Sequence, residues 1–185
     1  MQRTEWKPII PKAKVGLYGS ESEKVYPIVK KYLHGVIYDI GCGTHKITPE
    51  AIGVDGRKLD GVDFVHRGLD SIRDLGNTGD VLFSSHVLEH CLDDYDTLVE
   101  WSYMIKKGGY LILYLPDGRY YNNYGNIEHI RDYNYESFMM FFERAMCGFG
   151  KDFEGFTNPA YFEVVDSGLD IGEDKYSFYL VAKKL

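Results

Sequence analysis

Two apolar runs in the first third of the chain end in residue types that could bind a nucleotide. Residues 36–40 lead into Gly41 and Gly43, and residues 51–54 end at Asp55. Because the carboxyl ends of parallel strands meet at one edge of a sheet, we expect the two glycines and the carboxylate of Asp55 to lie close together. Glycines let a backbone approach a ligand, and a carboxylate accepts hydrogen bonds from both hydroxyls of a ribose. The spacing therefore predicts a nucleotide site at this edge.

The glycine turn is poorly suited to a pyrophosphate. The dinucleotide fingerprint G-x-G-x-x-G needs a third glycine at position 46, which is Lys46, and Asp39 precedes the first glycine. A carboxylate there suits a ligand that carries a positive charge; the alternative is a tight turn with incidental glycines. Asp70 follows a third predicted strand, residues 62–66. It is placed to contact an adenine amino group or, equally, to cap the helical turn predicted at residues 71–75.

The segment that follows the fourth predicted strand, residues 80–85, spells H-x-x-E-H from His86 to His90. This is the zinc signature of inverted zincins, and it leaves a zinc hydrolase through His86 and His90 as a remote alternative. Such a site needs both histidines one turn apart on a long helix, whereas His86 follows directly on a strand. We therefore predict no metal ligands here. In the favoured interpretation Leu88 packs in the core, Glu89 and His90 hold the turn, and His86 faces the cleft.

A loop rich in aromatic and polar residues, 116–135, follows the fifth predicted strand, where an α/β sheet places its substrates. Its candidate substrate-binding residues are Asp117, Tyr120, Tyr121 and Arg131. His129 and His86 are candidate general bases, because imidazole titrates near neutral pH. In the alternative interpretation the tyrosines form a flap that excludes water, and His129 is structural.

Hydrophobic periodicity predicts an α/β protein. The predicted strands are residues 36–40, 51–55, 62–66, 80–85, 110–115, 161–166 and 176–182, and the predicted helices are 21–33, 93–107 and 137–147. Ser20 and Glu23 form a capping-box pattern at the start of the first helix. The connections after the first two strands are too short for a helix, and the first contains Pro49. Ser167-Gly168 is predicted to join the last two strands.

These elements predict one domain over residues 1–185, a three-layer sandwich with a mostly parallel sheet, an antiparallel C-terminal strand and shortened first crossovers. Residues 1–19 form an N-terminal arm or lid, and residues 116–135 are a substrate loop insertion. The net charge of −7 argues against nucleic acid and anionic membranes as partners. The three cysteines form no disulfide framework, which fits a reducing compartment. With no signal core and no membrane-spanning run, a soluble, cytoplasmic protein is predicted.

Together these motifs resemble those of the class I S-adenosylmethionine-dependent methyltransferases. The matching stretches are Tyr38-Asp-Ile-Gly-Cys-Gly43, Ile52-Gly-Val-Asp55, Asp80-Val-Leu-Phe-Ser-Ser-His-Val-Leu-Glu-His90 and Ile105-Lys-Lys-Gly-Gly-Tyr-Leu-Ile112. The third contains the S-x-x-x-L-E-H motif of a large subgroup of that family. The last is similar to the family's L-K-P-G-G turn, with Lys107 where proline is usual.

The resemblance implies a Rossmann-like fold, S-adenosyl-L-methionine as the cofactor, and methyl transfer to oxygen or nitrogen. The implied cofactor-binding residues run from the methionine part through the ribose and adenine to the sulfonium: Asp39, Gly41, Cys42, Gly43, Asp55, Gly56, Asp70, Ser84, Ser85 and His86. The aromatic loop suits a small polar acceptor, namely a sugar, a nucleotide-sugar or a small aromatic compound. His45, where the family often has glycine, and the short crossovers motivate a second hypothesis, a non-catalytic methyltransferase-like partner subunit. Oligomeric state is left open.

Overall fold

The computed structural model describes residues 21–75, 78–121, 128–148 and 161–185. The predicted arm at residues 1–19, and Ser20 of the predicted capping box, lie outside these segments. The strands are β1 (Ile37–Ile40), β2 (Ile52–Asp55), β3 (Phe64–Val65), β4 (Gly79–Ser85), β5 (Ile105–Pro116), β6 (Phe162–Gly172) and β7 (Lys175–Lys184). They form one sheet in the order β3-β2-β1-β4-β5-β7-β6, and β7 runs against the other six. The predicted sheet is confirmed.

Within the described segments, three α-helices cover the two faces of the sheet: α1 (Glu21–Val29), α2 (Asp94–Tyr103) and α3 (Tyr135–Met146). Helix α1 contributes Val25 and Val29 to the core on one face. Trp101 of α2 and Phe142 of α3 lie in the core on the opposite face. The predicted three-layer arrangement is therefore confirmed. Among the helices of the described segments, none is both long enough and apolar enough to cross a bilayer.

Alternate side chains of the central strands enter the two cores. In β4, Val81 and Phe83 pack under α1, while Leu82 packs against α2 and α3. In β5, Ile112 and Leu113 divide between the two cores in the same way. Burial on both faces explains why these strands are nearly continuous apolar runs, as is typical of the middle of a parallel sheet.

The short crossovers predicted after the first two strands are confirmed. Residues 41–51 and 56–63 connect β1 to β2 and β2 to β3 without a helix. The carboxylate of Asp63 accepts the N–H of Gly53 at 2.8 Å and the ammonium group of Lys46 at 3.1 Å. Hydrogen bonds to β2 thus hold these connections in place of the helix that usually packs there.

The long helix predicted at residues 93–107 ends earlier than expected. Helix α2 stops at Tyr103, because Ile105 already pairs with Gly79 at the start of β4. Lys106 therefore lies in β5 rather than in a last helical turn. The apolar residues keep a helical spacing as far as Ile105, which explains the longer prediction. Ile105 is apolar because the sheet buries it, and not because it lies on a helix face.

The hairpin predicted at Ser167-Gly168 is wrong. Strand β6 continues through both residues to Gly172, and the turn to β7 lies at residues 173–174. A Cβ built on Gly168 would lie 3.2 Å from the ring of Tyr179, its partner across the strands. The glycine therefore lets an aromatic ring lie flat on the sheet, which is a packing role that is hard to distinguish from a turn in the sequence.

Lys184 tests how the C-terminal strand stabilises the end of α2. Its ammonium group donates to the carbonyl oxygens of Ser102 at 2.6 Å and Ile105 at 2.8 Å. We expect Lys184→Met to lower the free energy of unfolding by about 1–3 kcal/mol, because both carbonyls lose a charged donor. Urea unfolding measures the change. Lys183→Met, at an exposed neighbouring position, should change stability by less than about 0.5 kcal/mol; equal losses in the two variants would contradict the prediction.

Candidate functional site

The carboxyl ends of four parallel strands and the beginning of β7 meet at one edge of the sheet. Ile40 at the end of β1 pairs with Val54 of β2 on one side and with Ser84 of β4 on the other. At the end of β5, Pro116 pairs with Ser177 of β7. Because β7 is antiparallel, its first residues reach the edge at which the other strands end.

The glycine turn is held against the end of β2 by backbone hydrogen bonds. Gly41 has a φ of 74° and its N–H donates to the carbonyl of Val54 at 2.7 Å. The N–H of Gly43 donates to the carboxylate of Asp55 at 3.0 Å. The predicted proximity of the glycines and Asp55 is confirmed. A Cβ on Gly41 would lie 2.1 Å from a methyl group of Val87, so this position requires glycine for space as well as for its backbone angle.

Asp39 closes the loop that follows the turn. Its buried carboxylate accepts the N–H of Ile47 at 2.5 Å. Burial raises the pKa of Asp39 to about 7, although this hydrogen bond and the charge of Lys46 both act to lower it. The side chain of Cys42 points away from the edge, since a Cβ on Gly53 of β2 would lie 2.8 Å from its sulfur. Cys42 can therefore contribute to a cofactor site only through its backbone.

The carboxylate of Asp55 is buried, and Arg57 covers it. The backbone N–H and Nε of Arg57 donate to Oδ1 at 2.9 and 3.0 Å, and Nη2 lies 3.4 Å from Oδ2. Burial alone would raise the pKa of Asp55, but the hydrogen bonds from Arg57 and Gly43 outweigh it and hold the pKa below its usual range. Asp55 is thus an ionised acceptor. The side chain of Arg57 is 55% exposed and can turn outward to admit two hydroxyl donors.

The end of β4 carries the other residues that sequence reasoning assigned to a cofactor. The hydroxyl of Ser84 donates to the carbonyl of Ile40 at 3.2 Å, which ties β4 to the glycine turn. The hydroxyl of Ser85 is buried and has no hydrogen-bond partner among the described residues. His86 has a φ of 55°, a left-handed conformation that costs a non-glycine residue energy and is concentrated at functional sites.

The ring of His86 lies between two carboxylates. Nε2 is 3.0 Å from the hydroxyl of Ser177 and 3.9 Å from Glu21, while Nδ1 is 3.7 Å from Glu89. Burial lowers the pKa of His86, and the charge of Lys24 lowers it further. A neutral imidazole that is hydrogen-bonded to Ser177 follows. That His86 faces the cleft stays a prediction.

Glu89 is fully buried, and neither oxygen of its carboxyl group has a hydrogen-bond partner in the described part of the chain. Its backbone carbonyl accepts the N–H of Ile130 at 3.0 Å. Burial raises the pKa of Glu89 to about 8. Oε2 of Glu21 and Nδ1 of His129 are also buried and have no hydrogen-bond partner among the described residues. Unsatisfied buried polar groups are costly and few in native proteins, so these atoms are candidate contacts for a polar ligand.

His129 and His90 complete this wall. Nδ1 of His90 lies 2.8 Å from the carbonyl oxygen of Glu128, and the two imidazole rings are perpendicular with centroids 4.7 Å apart. His129 stacks on Tyr121, which stacks in turn on Tyr176 of β7 at 4.8 Å. The predicted base, the predicted substrate-binding tyrosine and the C-terminal strand are therefore in direct contact.

The other predicted substrate residues have different surroundings. Asp117 is fully buried, and its oxygens accept from Arg119 and from the N–H of Tyr135, so it holds the loop in shape. Arg131 lies 2.6 Å from the carboxylate of Asp94. Tyr120 lines a cavity of about 280 Å³ together with the turn between β6 and β7. Of the four predicted residues, the two tyrosines line or contact the open part of the site.

The structure does not support the helical arrangement that the zinc signature requires. After β4 the chain forms one 3-10 turn, Leu88–His90, and His86 precedes that turn. Leu88 is buried and His90 ties the turn to the loop, as predicted. Glu89, which was predicted to do the same, contacts the loop through its backbone carbonyl and not through its side chain. Asp70 is half-buried in the segment after β3, next to Ser71, which lines a cleft of about 610 Å³.

Sequence reasoning missed Glu21, Tyr176 and Ser177 as parts of the site. The hydroxyl of Tyr176 donates to Glu21 at 2.9 Å, which joins the first turn of α1 to the beginning of β7. The last strand was predicted to be antiparallel, and this could have identified them. The first residues of such a strand lie at the edge where the parallel strands end. Glu21 gave no separate signal, because acids are common in the first turn of a helix.

No protein-family model matches the chain, and no curated protein matches its sequence. Solved structures do match. A S-adenosylmethionine-dependent methyltransferase from Thermotoga maritima has a TM-score of 0.59 and 21% identity and covers 88% of each chain. The 1,6-didemethyltoxoflavin-N1-methyltransferase of Burkholderia thailandensis, with bound 1,6-didemethyltoxoflavin and S-adenosylhomocysteine, has a TM-score of 0.63 and 12% identity over 90% of this chain and 79% of that one. A Haloferax volcanii complex between the Trm112 methyltransferase activator and a methyltransferase also matches. The TM-score is 0.56 and the identity 14%, over 90% of this chain and 92% of that one.

These likenesses establish that the chain has the Rossmann-like fold of the S-adenosylmethionine-dependent methyltransferases. The fold predicted by the sequence resemblance is therefore confirmed. The glycine turn and Asp55 lie at the edge of that fold where the carboxyl ends of β1 and β2 meet.

Gly41 tests the packing of the turn. Gly41→Ala should lower the free energy of unfolding by at least about 2 kcal/mol, because the left-handed backbone angle costs 1–2 kcal/mol and the new methyl group would overlap with Val87. Adding Val87→Ala should recover only the steric part of the loss. Gly172→Ala is the matched control, since a Cβ there meets nothing within 4 Å. A Gly41→Ala protein as stable as Gly172→Ala in urea unfolding would contradict the packing described here.

Proposed function

We propose that the protein is an S-adenosyl-L-methionine-dependent methyltransferase that methylates oxygen or nitrogen of a small polar acceptor. The observation that carries the proposal is the glycine turn at the end of β1, hydrogen-bonded to the ionised carboxylate of Asp55 at the end of β2. This arrangement stands at the functional edge of a methyltransferase fold. Glu21, Glu89 and His129 have buried polar atoms without a hydrogen-bond partner among the described residues, and these would supply a second, polar half to the site.

The residues present fit the cofactor. Asp55 would accept from the ribose hydroxyls, with the backbone of Gly56 beside it and Arg57 turned outward. Gly41 and Gly43 would let the backbone approach the methionine part, and the buried carboxylate of Asp39 would balance its ammonium group. Bound there, the cofactor supplies a methyl group on a positively charged sulfur. Asp70 is proposed at the adenine, and Ser84 to His86 at the sulfonium end.

The acceptor is proposed to bind between the end of β4 and the loop after β5. The stack of His129, Tyr121 and Tyr176 offers a flat aromatic wall, and Tyr120 lines the adjoining cavity. Such a wall suits a sugar, a nucleotide-sugar or a small aromatic compound. A Burkholderia protein of the same fold binds a small compound, 1,6-didemethyltoxoflavin, which supports an acceptor of this size.

Methyl transfer needs alignment and a path for one proton. A lone pair on the acceptor forms the new bond to the methyl carbon, and the electrons of the breaking carbon–sulfur bond return to sulfur. The acceptor's proton then passes to a base. His129 is the better placed of the two predicted histidines, because its Nδ1 has no hydrogen-bond partner among the described residues, whereas Nε2 of His86 is engaged by Ser177. We propose that His86 positions the acceptor.

A non-catalytic partner subunit is the second candidate. The observation that favours it is the contact between Arg57 and Asp55. The guanidinium group of Arg57 donates to the same carboxylate that the ribose hydroxyls would need. A methyltransferase of the same fold also occurs in a complex with its activator. Cofactor binding separates the two candidates, since a subunit that serves only as a platform has no need of it.

The free thiols Cys42, Cys91 and Cys147 fit the proposed cytoplasmic location.

Asp55 tests the cofactor site. Calorimetry with S-adenosylhomocysteine should give a dissociation constant in the micromolar range, and Asp55→Ala should weaken binding by about 10–100-fold, because two hydrogen bonds to a charged acceptor are lost. Asp60→Ala, at an exposed position on the following connection, is the control and should bind normally. Absence of binding to the unmodified protein would favour the partner subunit. Undiminished binding to Asp55→Ala would show that the cofactor lies elsewhere.

Asp39 predicts a pH dependence of cofactor affinity. Its pKa of about 7 means that the carboxyl group carries a proton at pH 6 and is ionised at pH 8. Only the ionised form attracts the ammonium group, so affinity for S-adenosylhomocysteine should rise about tenfold from pH 6 to pH 8. Asp39→Asn keeps an acceptor for Ile47 but cannot ionise, and its affinity should be low and nearly independent of pH. If both proteins show the same rise, Asp39 does not contact the cofactor's charge.

A further inference from the structure

Three side chains with metal-binding atoms converge beside the proposed acceptor pocket. Glu89 and His90 come from the 3-10 turn after β4, and His129 comes from the loop after β5. One ligating atom from each lies within 4.8 Å of the other two. Nearly forty residues separate the two contributing segments, so the fold, and not local sequence, brings the three together.

The burial of Glu89 independently indicates a missing partner. Its side chain is 0% exposed, and both carboxyl oxygens lack a hydrogen-bond partner within the described segments. The buried Nδ1 of His129 likewise has none. Groups of this kind are stabilised in proteins by pairing, by hydrogen bonds or by a metal ion. Here the unpartnered atoms belong to two of the three converging residues.

His90 is oriented as metal-binding histidines are. Its Nδ1 lies 2.8 Å from the carbonyl oxygen of Glu128, and a carbonyl oxygen can only accept, so this nitrogen carries the proton. Nε2 is then left with the lone pair. A backbone carbonyl that fixes the tautomer in this way is the usual outer partner of a metal ligand. Stacking on Tyr121 similarly holds the ring of His129.

We propose that Glu89, His90 and His129 bind a divalent transition-metal ion of the Zn²⁺ or Mn²⁺ type. Two imidazoles and one carboxylate suit such ions and leave coordination positions open. Bonds of about 2.1 Å require ligand atoms about 3.4 Å apart, so the group must close up slightly around the ion. His86 is not one of the three converging residues. The site therefore differs from the one that the H-x-x-E-H spacing suggests.

The role of the ion rests on the proposed methyltransferase function. An open coordination position takes the acceptor's oxygen, and the ion lowers the pKa of that hydroxyl group. The proton leaves to water. The oxygen lone pair then forms the bond to the methyl carbon while the carbon–sulfur electron pair returns to sulfur, giving the methylated acceptor and S-adenosylhomocysteine. His129 acts in this case as a ligand, and the ion replaces it as the group that ionises the acceptor.

Cobalt tests the site directly, because Co²⁺ takes the same ligands and absorbs visible light. The full chain, stripped with chelator, is titrated with Co²⁺ and separately with Zn²⁺ by calorimetry. We expect one ion per chain and a visible Co²⁺ band. Glu89→Gln, which keeps the shape of the side chain, and His129→Ala should each weaken binding by at least about 100-fold. His34→Ala removes an exposed histidine outside the cluster and should bind like the unmodified protein.

The outcomes separate this proposal from the function on which it rests. No Co²⁺ band at millimolar metal, or binding to Glu89→Gln equal to that of the unmodified protein, would overturn the metal site. S-adenosylhomocysteine binding is measured on the same metal-free samples, and circular dichroism checks that each variant is folded. Retained S-adenosylhomocysteine binding without metal binding removes only the metal site. Stoichiometric metal binding that Glu89→Gln abolishes supports the site, even if the protein binds no S-adenosylhomocysteine and the proposed function fails.

Discussion

The hydrogen bonds between the glycine turn and the end of β2 are the constraint on which the rest of the site depends. Most α/β folds place a helix directly after this turn, and its first N–H groups fix the backbone. Here residues 41–51 contain no helix. Val54 and Asp55 accept the N–H groups of Gly41 and Gly43 instead, and Asp39 accepts that of Ile47. The loop keeps its shape because buried carboxylates replace the missing helical turn.

The two carboxylates that shape the loop are also the groups proposed to bind the cofactor, and this has a physical consequence. Asp55 is ionised because Arg57 and backbone donors stabilise its charge, whereas burial keeps Asp39 close to half-protonated at neutral pH. One group is therefore ready to accept hydrogen bonds, and the other is only partly ionised at neutral pH until a cation stabilises its charge. The same loop therefore holds two different carboxyl groups next to each other. Asp55 suits a neutral diol, and Asp39 suits a cation.

Hydrophobic periodicity was sufficient to predict the layers and the sheet, because burial on both faces leaves a strong pattern in β1, β4 and β5. It failed where one residue type serves two structural purposes. Ile105 fits a helix face as well as a strand, and Gly168 fits a turn as well as a position under the ring of Tyr179. Neither choice can be made without knowing what packs against the residue.

The candidate site divides in the same way. Its proposed cofactor half is local: a turn and an acid at two strand ends, whose proximity was predicted from the sequence. Its acceptor half is assembled from α1, the turn after β4, the loop after β5 and the beginning of β7. Glu21 and Ser177 enter only through this assembly. The burial of the Glu89 carboxyl group, which has no hydrogen-bond partner in the described part of the chain, is likewise a property of tertiary packing that no local pattern reveals.

The fold is shared with solved structures at only 12% to 21% identity. The cofactor half depends mainly on backbone groups, glycines and an acid, so it tolerates replacement of most side chains around it. The acceptor half depends on particular side chains from distant segments, each held by a second contact: His90 by the carbonyl of Glu128, His129 by Tyr121, His86 by Ser177. The proposed acceptor half therefore depends on contacts between distant segments, whereas the glycine turn and Asp55 depend on the adjacent ends of β1 and β2.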